Sequence, residues 1–226
     1  MRRIGTTGIA LALTACASAP RPPPPPPAAT EAPAAAPARP RPVVTLRHAS
    51  PDEKATAEQL DRLVARYDVT PWLFTREIVV DEEAIPHSHP VLTLHTRHLR
   101  DDLLLLSTLV HEQSHWYLEA HQADVALAVE ELRSLFPGLP VGFPDGAQSD
   151  TSSYEHLIVI ALEERGVVRL AGELAARQMM DFFAGDHYRA LYQLVAKRRD
   201  DVWRIMRAHR LDSPAASAEV GAAGRR

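Results

Sequence analysis

Two histidines and a glutamate stand together in His111-Glu112-Gln113-Ser114-His115, directly after the apolar run 103–110. On an α-helix, side chains four residues apart leave the same face roughly 40° from each other, so the imidazoles of His111 and His115 can converge on one metal ion. Glu112 then lies about 100° round the helix, where it can reach a metal-bound water without taking a coordination position. The chemistry this order of residues supports is activation of water at a metal, with the carboxylate as proton acceptor. A catalytic zinc usually has three protein ligands and one open position, so a third ligand must come from elsewhere in the chain.

The pentapeptide resembles the HExxH signature of the zincin metallopeptidases. The resemblance implies one bound zinc ion, hydrolysis of peptide bonds in a peptide or protein substrate, and Glu112 as the catalytic residue. It also implies an edge strand lying over the motif helix to bind substrate backbone in extended form. Three residues compete for the third ligand position. His121 has the metzincin spacing, but Leu118 stands where that pattern has its turn-forming glycine, so the helix is expected to run on and carry His121 out of reach. His156 and Glu163 lie seven positions apart on one face of a later apolar helix. We favour His156 as ligand, with Glu163 as the alternative or as the group that orients a ligand. Tyr154, His187 and Tyr188 are candidate donors to an oxyanion.

The elements that must position these residues are read from hydrophobic periodicity. Ser50-Pro51-Asp52-Glu53 opens an amphipathic helix over 51–67, with Ala57, Leu60, Leu63, Val64 and Tyr67 on its core side. A short extended piece at 43–46 precedes it. The β-rich stretches 78–80 and 91–94 flank a turn-forming segment that carries His87 and His89, and predict a two-stranded piece with a surface loop. Asp101-Asp102 open the motif helix, which is expected to continue, bent, to Pro137-Gly138. Residues 137–150 form a Pro/Gly loop. Ser152 and Glu155 fit a capping box for the next helix, Glu164 should face outward, and a last helix should span 186–209. His48, His98 and His209 read as solvated. The fold class expected is mainly α with a small β portion, an α+β domain over 43–212, followed by a disordered tail at 213–226.

Among 226 residues, 46% are hydrophobic and 24% charged, and the net charge of −4 argues against nucleic acid as a partner. The N-terminus carries an address. Arg2 and Arg3 precede an apolar run too short to span a bilayer, which reads as a signal peptide over 1–15. Leu13-Thr14-Ala15-Cys16 resembles the lipobox of bacterial lipoproteins. That resemblance implies acylation of Cys16 and a membrane partner through the lipid anchor. With Ala17 next, it also implies outer-membrane sorting in the cell envelope, facing the periplasm. Residues 16–42 are dominated by proline and alanine and read as a stiff polyproline tether. The alternative function is a zinc-binding envelope lipoprotein without catalysis, or an interaction module in which the motif is accidental.

Overall fold

A computed structural model describes residues 40–212 of the chain. The expected signal segment 1–15, the expected acylation site Cys16, most of the expected Pro/Ala tether and the tail 213–226 lie outside the described residues.

The domain is mainly helical with one small sheet, in accord with the expected class. Strand β1 (Val43–Leu46), helix α1 (Pro51–Arg66), β2 (Glu77–Val80) and β3 (Leu92–Leu94) come first. Helices α2 (Asp102–Ala120), α3 (Gln122–Leu135), α4 (Asp150–Ala171), α5 (Glu173–Asp186), α6 (Arg189–Lys197) and α7 (Arg199–Ala208) follow. No helix among the described residues is long and apolar enough to cross a membrane.

The two β-rich stretches do not form a hairpin. The sheet has the order β1-β2-β3 with both pairings parallel, Val43 opposite Glu77 and Ile78 opposite Leu92. After β2 the chain runs back along the outer edge of β3, where His87 and Thr93 exchange backbone hydrogen bonds of 2.8 and 3.2 Å. That return makes the second pairing parallel and covers the edge expected to receive substrate. Glu53 fastens the sheet to α1, its buried carboxylate accepting from the backbone N–H groups of His48, Ala49 and Glu82.

The motif helix separates two cores. Leu105, Leu106 and Leu109 pack with Leu60, Leu63 and the sheet on one side, while Leu104, Val110, Tyr117 and Leu118 join the helices on the other. A helix covered on both sides needs apolar residues all round, which explains the unbroken run before the motif. Residues 157–162 of α4 are wholly buried for the same reason. The helices approach closely: a Cβ placed on Gly166 would stand 2.6 Å from Val110 Cγ1 and 3.3 Å from the Trp72 ring.

Several boundaries differ from expectation. Helix α2 stops at His121, whose ring Nδ1 hydrogen-bonds the Tyr117 carbonyl at 2.7 Å, while its N–H turns to Leu118 O. The imidazole takes the acceptor that would have continued the helix, so α3 starts in a new direction. Ser149, not Ser152, caps α4 by accepting from Ser152 N. The single helix expected over 186–209 is replaced by α6 and α7 with a break at Arg198, and α5 ends at Asp186. Glu164 is buried against Arg199 instead of facing outward. His98 is buried at 6% exposure, against the edges of Phe182 and Phe183. His209 is half-buried and bonded to Glu131 at 3.0 Å.

Gly166→Leu forces a side chain into the contact with Val110 and Trp72 and is expected to lower stability by about 2–3 kcal/mol. Urea denaturation of the two proteins measures the difference.

Candidate metal centre

The contact between α2 and α4 brings three imidazoles together. The ring centroids of His111 and His115 are 5.3 Å apart, those of His111 and His156 5.6 Å, and those of His115 and His156 4.9 Å. One ring nitrogen of each lies within 4.8 Å of the others. His111 and His156 are buried and His115 is half-buried. His121 stays outside this group, its ring turned to Tyr117 at 4.2 Å. His87 and His89 remain in the loop; His89 stacks on Trp116 at 4.2 Å and bonds Glu119 at 2.8 Å.

A hydrogen bond fixes which nitrogen of His156 faces the cleft. His156 Nδ1 donates to the carbonyl of Ser152 at 2.7 Å, and a carbonyl can only accept, so Nε2 keeps its lone pair. His111 Nδ1 lies 2.9 Å from Glu163 Oε2, which also accepts from the Tyr192 hydroxyl at 2.8 Å. Glu163 is therefore the partner of a histidine and not a fourth member of the group. A carboxylate behind an imidazole fixes its ring and raises its basicity toward a metal.

Burial sets the protonation states. It lowers His111 to about 4 and His156 to about 3, and holds His115 well below its ordinary value, so all three are neutral near pH 7. It raises Glu112 to about 8, with the nearby Glu163 adding to the shift, and Glu163 itself to about 8. Three neutral imidazoles beside two reluctant carboxyls form a site that a divalent cation fits. The cation has lone pairs to bind, and its charge favours the ionised form of both carboxyls. A second group, His48, Glu53 and Asp81, is accounted for by the fold, because Glu53 is engaged with backbone N–H donors.

A cleft of about 890 Å³ opens over the histidines, lined on one side by Ile85, Pro86 and His87 and on another by Gly142 and Phe143. The motif helix holds the segment before β2 and the loop that carries the first wall. Gln113 accepts from Phe74 N and Thr75 N at 2.7 and 2.9 Å, and Trp116 Nε1 donates to Ser88 O at 2.9 Å. Ser153 holds the Pro/Gly loop by donating to Pro140 O and accepting from Ala147 N.

Of the three candidate oxyanion donors, Tyr154 lies in the core with its hydroxyl on Phe136 O. His187 and Tyr188 line the cleft. Tyr188 has a left-handed backbone, φ 49°, which turns its ring to 4.3 Å from that of His156 and parallel to that of His111. His187 bonds Asp186 at 2.7 Å, and Asp186 holds Arg97 through both oxygens. Sequence reasoning missed Tyr192 and His98. Tyr192 reads as one more core aromatic, and its only local signal is a position four residues after Tyr188.

Neither protein-family models, nor curated proteins, nor solved structures gave a match to this chain.

His156→Ala is expected to abolish stoichiometric zinc binding and His121→Ala to leave it intact. Tyr192→Phe should weaken it about tenfold or more by loosening Glu163. Competition with a chromophoric chelator reads all three. His98 gives a pH dependence. Burial, followed by the charge of Arg97, lowers it to about 4 in the folded state. Above its unfolded value of about 6.5 both states are neutral and the ring has no effect. Below that the unfolded chain takes up the proton first, so stability falls from pH 6.5 toward 4, by about 2–3 kcal/mol in total. His98→Gln should remove that part of the acid loss in denaturation curves at pH 7 and 4.5.

Proposed function

We propose that this protein is a zinc metallopeptidase hydrolysing peptide bonds, held in the cell envelope by a lipid on Cys16. The observation that carries the enzymatic reading is the group His111, His115 and His156 with Glu112 on the same helix, all four opening on one cleft. The lipid anchor and outer-membrane location rest on the N-terminal motif alone.

The three histidines would hold the ion, and Glu163 would keep the His111 ring in position through its Nδ1–H. When bound, zinc supplies Lewis acidity, bringing a water toward a pKa of about 7 and polarising a carbonyl. Glu112 then works as general base and acid. Its carboxylate accepts a proton as the water oxygen bonds to the carbonyl carbon, and returns one to the leaving nitrogen as the C–N bond breaks. Burial raises Glu112 and the charge of a bound cation would lower it again, so the ionised carboxylate is available to take the proton. Tyr188 stands over the ligand rings, where a phenol can donate to the developing oxyanion.

The rival reading is a closed zinc site without catalysis. It gives Glu112 no role, whereas the peptidase reading makes it indispensable. Glu112→Gln should retain one zinc per chain and lose about 10²- to 10⁴-fold in peptide hydrolysis. Unchanged hydrolysis sinks the mechanism. Absence of stoichiometric zinc from the wild-type chain sinks the metal centre altogether.

A further inference from the structure

A second cavity, of about 430 Å³, adjoins the cleft, and His115 lines both. Beyond His115, neighbouring residues of the same segments line one or the other. On the loop side His87 and Ser88 face the cleft and His89 faces the second cavity. On α4, Ser152 and His156 face the cleft while Thr151 and Glu155 face the second cavity. An extended chain crossing His115 would pass from one into the other.

The floor of the second cavity is apolar, made by Leu118, Val125 and Val129. Its charges are three carboxylates, Glu119, Glu130 and Glu155, against one guanidinium, Arg133. Arg133 is spent on Glu130 and on Asp150, which it meets at 2.9 Å, and Glu119 is bonded to His89. Glu155 is half-buried and makes no hydrogen bond or ion pair among the described residues. A lysine or arginine side chain answers this arrangement: a long aliphatic stem for the apolar floor and a terminal cation for the unpaired carboxylate. An acidic side chain meets like charge, and a purely apolar one leaves Glu155 desolvated without a partner.

We propose that this cavity is a specificity pocket for a lysine or arginine side chain of the peptide substrate, with Glu155 as its counter-ion. The inference rests on the peptidase reading of the adjoining cleft and names the substrate class that cleft would select.

The test uses the full zinc-loaded chain and matched fluorogenic peptides that differ in a single residue. Lysine, norleucine or glutamate is placed in turn at each of the positions flanking the scissile bond. At one position lysine should exceed norleucine in kcat/KM by about tenfold, with glutamate the poorest. Glu155→Gln should bring the lysine-to-norleucine ratio near one, and Glu155→Lys should invert the order so that glutamate exceeds lysine. Both variants are checked for unchanged zinc content, which confirms folding. Equal rates for lysine and norleucine at every position, or a ratio that neither substitution moves, overturns the pocket while leaving the peptidase reading in place. Failure of the wild-type protein to cleave any of the peptides overturns both.

Discussion

Glu163 is fully buried on α4, and its Oε2 oxygen is shared between the ring of His111 on α2 and the hydroxyl of Tyr192 on α6. A buried carboxyl is costly unless hydrogen bonds repay its desolvation, so these three elements are tied to one geometry at that point. The helix contact beneath it leaves no slack, since Gly166 is the only side-chain type that admits Val110 and Trp72 so near the α4 backbone. With the crossing of α2 and α4 set in this way, His156 has to arrive beside His111 and His115. The grouping of the three histidines is a consequence of how two buried helices meet.

The motif helix also holds one wall of the cleft and the segment before β2. Gln113 holds the segment leading into β2, and Trp116 holds the return loop after it. Neither residue belongs to the histidine group, yet both take positions between or beside the two histidines of α2 and point away from them, as helical geometry requires. The Pro/Gly loop is fastened from the other side by Ser153 on α4. Each helix that supplies a histidine therefore also anchors a wall, and the placement of the histidines and access to them are coupled through the same two elements.

Electrostatics and packing pull in opposite directions here. Burial favours neutral forms of Glu112 and Glu163 and neutral imidazoles, a state stable only while nothing charged enters. The charge of a divalent cation would reverse that balance by favouring the ionised form of both carboxyls.

Much of the chain was legible from local pattern. Asp101 as N-cap, the helix from Ser50, the burial of α2 and α4, and the common face of His156 and Glu163 all follow from the 3.6-residue period and from capping chemistry, which act within a few residues. What the sequence left open depends on partners distant along the chain. The parallel pairing of β2 and β3 required knowing that the loop returns along the outer edge of β3. The break at His121 depended on a ring competing for a backbone carbonyl, where Leu118 in place of a turn-forming glycine suggested a continuing helix. His98 looked like any polar-context histidine until Phe182 and Phe183 covered it. The choice between His156 and Glu163 could not be made from a shared face, because both reach the same centre. Only the position of α6, with Tyr192 on Glu163, assigned one to the histidine group and the other to the support of His111. Periodicity determines which side of a helix is buried; the crossing of two helices decides which buried groups touch.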